Sequence, residues 1–330
     1  MIPPFDIVFM GHFARDTIIS PLGEVSHSLG GGVTFGTLTA RYYDGSQKIG
    51  IFSEIGTDFD PKWLELFNHG IYMDGIGSNS EYSTHFKIEY FSQGGRRLTL
   101  ESKASSLKFE NIPIPMLNSR SYMISSIANE VNFEFIKNLL RNTQGWIGID
   151  IQGFIRDFRA DGTINPVPLP ELIKNVHKIV KLCGNRLILK ASDEEINYIA
   201  KSTDVIQSTQ KISKLGDFIV CTTLGPNGSL IKYRDEKMIH IPAFYPDKGV
   251  VDETGAGDCY LSAFLSEFIN TNYSWEEIKR CGYIASCAAS FLIECKGPNG
   301  FGTRNQVLAR LRQMNSIPSP FHDKVKYNNY

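Results

Sequence analysis

The chain has 330 residues, of which 42% are hydrophobic and 21% are charged, and its formal net charge is −1. These values are typical of a globular protein with one large domain or two modest ones. The near-neutral charge gives no reason to expect a nucleic-acid or membrane partner. No run reaches the roughly 18 apolar residues of a membrane span, and residues 1–6 lack the basic segment of a secretory signal. We therefore expect a cytoplasmic protein.

Six cysteines are present, and none belongs to a C-x-x-C pair. The even number is compatible with disulfides, but a chain of this length can bury a core without them. We expect reduced and mostly buried thiols. They are Cys183, Cys221, Cys259, Cys281, Cys287 and Cys295.

The first third of the chain predicts a strand at residues 7–10, a helix at 33–40, a strand at 48–55 and a helix at 61–68 that starts at Pro61. Residues 84–91 and 96–100 then form a hairpin pattern around the loop 92–95, outside this strand–helix rhythm. We expect that the segments at about 16–28 and 84–101 together form a small β lid inserted in the main domain.

Strands and helices alternate regularly from residue 121 onwards. Such alternation predicts an α/β domain with a mostly parallel central sheet and helices on both faces. No linker or repeat divides the chain, so we expect a single domain over residues 1–330, with a tail after Ser316 that docks loosely or frays. The predicted strands are 121–124, 146–151, 187–190, 218–223, 229–233 and 237–241, and the helices are 133–141, 170–180, 193–200, 256–270 and 275–293.

The most informative segment is residues 251–260, where a β-like stretch is followed by a helix. Gly255, Ala256 and Gly257 are too small to shield their backbone amides, and amides at a helix N-terminus bind anions. Asp258 falls in the first helical turn. A carboxylate there would repel a phosphate, but it could take the proton of an attacking hydroxyl. The structural alternative is a helix cap with a tight glycine turn.

Thr254, Gly255, Ala256, Gly257 and Asp258 resemble the C-terminal signature of the ribokinase-like (PfkB) carbohydrate kinases. The resemblance implies a ribokinase-like fold and an ATP- and Mg²⁺-dependent kinase for a sugar or polyol. In that family the three small residues form the anion hole for the transferring phosphate and the aspartate is the base. Further segments match in the same order along nearly the whole chain.

Gly30 and Gly31 resemble the family's N-terminal diglycine, which lets the backbone approach the substrate, although an ordinary turn would look the same. Asp16 follows the first strand, where the family carries a carboxylate that grips substrate hydroxyls, and a carboxylate accepts two protons from a vicinal diol. The alternative for Asp16 is a solvated loop acid.

Two further segments resemble parts of the nucleotide site. Ser192 and Glu195 stand in the family's N-x-x-E segment, with Ser192 in place of the usual Asn. This implies that Glu195 helps to hold Mg²⁺, although an acidic first helical turn is equally good local chemistry. Thr223, Gly225 and Gly228 resemble the nucleotide loop, which is also a strand–turn–strand connection, and Thr254 begins the anion motif.

The motifs are closest to the myo-inositol kinase branch of the family. The string at residues 150–156 belongs to that likeness, and on it Gln152 and Arg156 are expected to face the substrate or the transferring phosphate. A surface role for Arg156 is the alternative. Arg96 and Arg97 lie in the lid hairpin, and because neighbouring strand residues point to opposite faces, at most one can face inward.

Several questions stay open at this stage. The acceptor could be a nucleoside, ribose, fructose or a keto-sugar acid in place of myo-inositol, and a non-catalytic sugar- or nucleotide-binding regulator is the rival of another class. A nicotinamide dehydrogenase would require G-x-G-x-x-G after the first strand, which residues 11–16 do not supply. The family resemblance also allows a monovalent cation near the phosphate loop and a homodimer formed through the lid.

Overall fold

The computed structural model describes residues 5–68 and 70–327, and a nine-stranded sheet forms its centre. The strands are ordered β13-β12-β11-β10-β9-β8-β1-β4-β5. All pairings from β11 to β5 are parallel, and the two pairings that join β11, β12 and β13 are antiparallel. These strands are β1 (Phe5–Met10), β4 (Ile49–Gly56), β5 (Ile71–Ser80), β8 (Ser119–Ser125), β9 (Trp146–Asp150), β10 (Leu187–Ser192), β11 (Ile219–Thr223), β12 (Ser229–Tyr233) and β13 (Ile239–Ile241).

Helices cover both faces of this sheet because its strands carry apolar side chains on both sides. In β1, Ile7 and Phe9 enter one buried cluster, with side chains of α1, α7 and α8, whereas Val8 and Met10 enter the other, with α2, α4 and α5. The helices are α1 (Gly32–Tyr43), α2 (Phe133–Asn142), α3 (Gln152–Ile155), α4 (Pro170–Cys183), α5 (Asp193–Ala200), α6 (Val205–Ser213), α7 (Ala256–Phe268), α8 (Trp275–Leu292), α9 (Arg304–Gln313) and α10 (Phe321–Tyr327), with a 3₁₀ helix at Pro61–Phe67.

A second, four-stranded sheet has the order β3-β2-β6-β7 and is built from β2 (Ala14–Ile19), β3 (Val25–Gly30), β6 (Thr84–Tyr90) and β7 (Arg96–Ser102). Two of its pairings are antiparallel, and β2 with β6 is parallel. Its strands overlap the segments predicted to form the lid. The predicted α/β class, with a mostly parallel sheet, helices on both faces and a small β unit, is confirmed.

Some elements differ from the sequence expectation. The strand β5 and the helices α6 and α9 were not predicted, and residues 61–68 form a 3₁₀ helix that ends at Phe67. The tail after Ser316 was expected to dock loosely, but Phe321–Tyr327 is helical and Val325 is buried in a cluster with Met238. All six cysteines are free thiols, as expected, and Cys295 alone is not fully buried. Within residues 5–68 and 70–327 no helix has the length and apolarity needed to cross a membrane.

Two fully buried side chains, His12 and Glu130, lie where the small sheet joins the main domain. The imidazole contacts both the start of β6 and the chain that leaves β7. Nδ1 lies 2.8 Å from the Thr84 hydroxyl, and Nε2 lies 3.0 Å from the carbonyl oxygen of Ser105. Burial lowers the pKa of His12. Because a carbonyl oxygen can only accept, Nε2 carries the proton of its hydrogen bond with Ser105.

The Glu130 carboxylate accepts hydrogen bonds from the backbone N–H groups of His12, Ile127 and Ala128 at 3.0, 3.0 and 2.8 Å, and from the Ser126 hydroxyl at 2.9 Å. Burial alone would raise the pKa of Glu130, but the neighbouring His12 side chain and the backbone donors hold it below its ordinary value of 4.5. One carboxylate thus fixes the entry to β2 and the loop that follows β8.

We expect Glu130→Gln to lower the free energy of unfolding by about 3 kcal/mol, because an amide cannot accept from all of these donors. Since the pKa in the fold lies below 4.5, the wild-type carboxylate contributes fully above that pH and loses its contribution as the pH falls further. Urea titrations at two pH values test this. Glu134→Gln, at an exposed position of α2, is the control, and equal stability of the two variants would contradict the assignment.

Candidate active site

Asp258 lies in the first turn of α7, three residues after Gly255, whose backbone is in a left-handed conformation. Gly255 is the residue before the helix and has φ 79°. A Cβ at this position would lie 2.2 Å from Cγ of Phe35, so the packing as well as the backbone requires glycine. The turn places Gly255, Ala256 and Gly257 at the positive end of the helix, where the Ala256 N–H donates to the carbonyl of Glu253 at 3.2 Å.

The Asp258 carboxylate faces the N-terminus of α1, since a Cβ on Gly32 would lie 2.5 Å from Asp258 Oδ1. Burial, and then the charge of Asp150, raise the pKa of Asp258 to about 7, while Lys190 opposes the rise. A carboxylate with a pKa near neutrality is a stronger base than an ordinary aspartate and is still ionised in part at pH 7. These are the properties that a general base requires.

Asp150 and Lys190 were not predicted as site residues. They lie opposite each other in the neighbouring parallel strands β9 and β10, Asp150 as the last residue of β9 and Lys190 two residues before the end of β10. They form a buried ion pair with Nζ 2.8 Å from Asp150 Oδ2. A Cβ on Gly257 would lie 2.5 Å from Lys190 Nζ, which places the ammonium group beside the anion loop. Each charge comes after a run of apolar residues, near the carboxyl end of its strand, and this was the signal available in the sequence.

Asp16 of β2 is 7% exposed and lies against Gly30, where a Cβ would come within 1.9 Å of Asp16 Oδ2. Burial raises the pKa of Asp16 to about 7, against the charges of Arg156 and Arg96. Gly31 has φ 89°, and a Cβ there would meet the carbonyl oxygen of His12 at 2.5 Å. The diglycine therefore lets the Asp16 carboxylate and the His12 backbone come close to the chain that enters α1.

Gln152 begins α3 and Arg156 follows it, and both line the same cavity as this carboxylate. Arg156 donates to the carbonyl of Ile127 at 2.7 Å, and its guanidinium lies 5.5 Å from the centre of the Phe86 ring of β6. The Gln152 N–H donates to Asp150 Oδ1 at 3.1 Å. Arg156 is thus a contact between the main domain and the small sheet, and the simple surface role considered above does not describe it.

A cavity of about 220 Å³ joins these groups between the two sheets. Arg96 lines it, whereas Arg97 packs on Phe91, as the alternation along a strand requires. Part of the wall is apolar. The predicted residues that line the cavity are Asp16, Gly31, Gln152, Arg156, Thr254, Gly255, Ala256, Gly257 and Asp258, and the apolar ones are Ala14, Phe35, Phe86, Ile88, Leu98 and Ile127.

The remaining predicted residues do not line this cavity. Ser192 and Glu195 form a capping box at the start of α5, with hydrogen bonds of 3.2 and 2.7 Å, so the structural alternative for this pair is realised. Glu195 nevertheless keeps Oε1 outside this box, and Mg²⁺ sites need only one or two carboxylates beside water and phosphate. The described residues contain no cluster of three or more His, Cys, Asp or Glu side chains suited to a metal ion.

The predicted nucleotide loop follows β11. The Thr223 hydroxyl donates to the carbonyl of Ala191 at 3.4 Å, which ties the ends of β10 and β11 together. Gly225 has φ 55° and open space around its Cβ position, so the backbone is accessible there. Gly228 has φ 88°, and a Cβ would lie 2.1 Å from the carbonyl oxygen of Ile241. Packing against β13 therefore accounts for Gly228 without a nucleotide.

Comparison with known proteins gives matches in sequence and in fold. Residues 157–303 match the model of the pfkB family carbohydrate kinases. A cytidine kinase of Thermococcus kodakarensis is 25% identical over 266 residues, which are 80% of this chain and 88% of that protein. An inositol 3-kinase of Arabidopsis thaliana is 24% identical over 267 residues, 80% of this chain and 68% of that protein.

The fold itself matches solved structures over nearly its full length. A pyrophosphate-dependent kinase in the ribokinase family superposes with a TM-score of 0.73, at 20% sequence identity and over 92% of this chain and 99% of that one. The predicted family resemblance and the kinase class are thereby confirmed. The chain thus resembles the pfkB family carbohydrate kinases in sequence over residues 157–303, and it has the ribokinase-like fold.

Proposed function

We propose that the protein transfers the γ-phosphoryl group of ATP to a hydroxyl of a small polyhydroxylated acceptor, with Asp258 as general base. One observation supports the proposal: a carboxylate whose pKa is raised to about 7 follows three small residues at the N-terminus of α7, in one cavity with a second buried carboxylate. This arrangement supports proton removal from an alcohol next to a phosphate.

In the proposed reaction, Asp258 accepts the proton of the acceptor hydroxyl while its oxygen attacks the γ-phosphorus, and ADP leaves. The amides of residues 255–257 and the dipole of α7 stabilise the charge on the transferring group. The nucleotide lies along the carboxyl edge of the sheet, near Ser192, Thr223, Gly225, Gly228 and Thr254. Glu195 would hold Mg²⁺ through one carboxylate oxygen and water, and the metal would neutralise phosphate charge.

We place the acceptor between the two sheets, where Asp16 accepts hydrogen bonds from two of its hydroxyls and the backbone at Gly30 and Gly31 closes the site. The motif likeness favours myo-inositol or a related cyclitol, and the similarity to an inositol 3-kinase supports that choice. The apolar wall favours a second candidate, a nucleoside, whose base would lie on Phe35 or Phe86. The similarity to a cytidine kinase supports this alternative.

The test is ADP release from ATP and Mg²⁺ with a panel of cyclitols, nucleosides, pentoses, hexoses and sugar acids, and product analysis by ³¹P NMR. Stimulation by myo-inositol alone is the expected result. Stimulation by cytidine or another nucleoside would keep the mechanism and change the acceptor. Saturable ATP binding without stimulation by any acceptor would contradict the proposal and favour a non-catalytic binding role.

We expect Asp16→Asn to raise the acceptor KM and lower kcat/KM for the acceptor by about 10- to 100-fold, because an amide accepts fewer hydrogen bonds from a diol than a carboxylate does. The KM for ATP should stay unchanged, since the proposal places Asp16 at the acceptor and not at the nucleotide. Steady-state kinetics with both substrates measure this. Asp235→Asn, at an exposed turn between β12 and β13, is the control, and a rise in the ATP KM would place Asp16 elsewhere.

A further inference from the structure

The Lys190 side chain is 7% exposed and belongs to β10, whose other side chains from 187 to 191 are buried apolar ones. Its partner Asp150 is directly opposite in the parallel register of β9, and its side chain is 4% exposed. Removing two charges from water costs several kcal/mol for each ion, and a buried pair often does no better than apolar residues. The position therefore calls for a use of the charge beyond stability.

The direction of the ammonium group suggests that use. Nζ lies beside Gly257, the last small residue of the anion loop. A Cβ on Gly257 would lie only 2.5 Å from it. An ammonium group has three donors. Among the residues that the structure describes, Asp150 is its one hydrogen-bond partner. Lys190 also lines the cavity that contains Asp258.

We propose that Lys190 is a catalytic residue that donates a hydrogen bond to a non-bridging oxygen of the transferring phosphoryl group, and that Asp150 positions it. The inference rests on the proposed function. In phosphoryl transfer the charge of the transition state lies largely on the three equatorial oxygens, so a fixed cation at the anion loop stabilises it. Lys190 forms no covalent bond and keeps its proton throughout.

A purely structural ion pair between β9 and β10 makes different predictions. If the pair only supports the fold, Lys190→Met and Asp150→Asn should reduce activity alike, and the double variant should recover it because no unpaired charge remains. If Lys190 is catalytic, Lys190→Met and the double variant should both lose about 10²- to 10³-fold in kcat. Asp150→Asn should lose less than about tenfold, because Asn keeps the acceptor for the Gln152 N–H and the ammonium group remains.

Besides kcat, the ADP affinity can be measured, and this measurement does not need an acceptor. Aluminium fluoride with MgADP mimics a transferring phosphoryl group, and calorimetry gives the ADP affinity with and without it. We expect aluminium fluoride to tighten ADP binding to the wild type, and this gain to fall at least about tenfold in Lys190→Met and in the double variant. The affinity for ADP alone should be unchanged.

Arg280→Met is the matched control, because it breaks an ion pair of 2.8 Å with the buried Glu267 at the far end of α7. It should keep both the activity and the gain with aluminium fluoride. Recovery of kcat in the double variant, or an unaltered gain in Lys190→Met, would overturn the role of Lys190. If no acceptor is phosphorylated by the wild type, the proposed function fails, whereas the aluminium fluoride comparison still gives its own result.

Discussion

Asp258→Asn lowers kcat by about 10²- to 10⁴-fold while ATP binding is retained, if this residue is the general base. The amide has the same shape and cannot accept the hydroxyl proton. Its surroundings remain, because the amides of residues 255–257 belong to the backbone and Lys190 stays paired with Asp150. A loss in kcat with an unchanged Kd for ATP would separate the chemical step from binding.

The pH dependence of the wild type tests the same residue independently. Burial raises the pKa of Asp258 to about 7, and only the ionised form accepts a proton, so kcat should rise with pH and level off above about 7. An ordinary aspartate would give a flat profile above about pH 5. Asp193→Asn, in the first turn of α5, is the control for an acid at a helix start. Near-normal turnover of Asp258→Asn would rule out the assignment.

The parts of the site that were predicted from the sequence are those in which neighbouring residues act together. Gly255 to Asp258 form one turn, and the alternation of apolar runs places that turn between a strand-like segment and a helix. The strand β5 was missed because it is an edge strand with Gly75 and Gly77 and a mixed burial pattern, so it shows little of the periodicity of a buried strand.

The missed site residues are distant in sequence and meet only through the sheet. Asp150 and Lys190 are 40 positions apart and are brought together by the register of β9 and β10. His12 and Glu130 are 118 positions apart, and their contact depends on how the small sheet joins the main one. A single sequence contains no signal for such pairs beyond a charge at the end of an apolar strand.

The second large effect is expected for Gly255→Ala, which adds one methyl group next to the anion loop. The backbone has φ 79° at this position, and an L-residue there costs about 1–2 kcal/mol. The new Cβ would lie 2.2 Å from the Phe35 ring, which is 2% exposed and has little room to move. The start of α7 must therefore shift, and the amides of the anion loop and the Asp258 carboxylate shift with it.

A displacement of about 1 Å at a reacting centre lowers the rate about 10²-fold, so we expect a loss in kcat of at least this size for Gly255→Ala. Gly184→Ala is the matched control, because Gly184 also has a positive φ, of 54°, but has nothing within 4 Å of its Cβ position. It should cost some stability and no activity. Kinetics and thermal melts are measured for both variants and for the double variant Gly255→Ala/Phe35→Ala. The comparison separates the effect of backbone strain from that of the steric overlap with the Phe35 ring. Recovery of kcat in the double variant would identify the Phe35 ring as the cause, whereas full activity of Gly255→Ala itself would contradict the role of this turn.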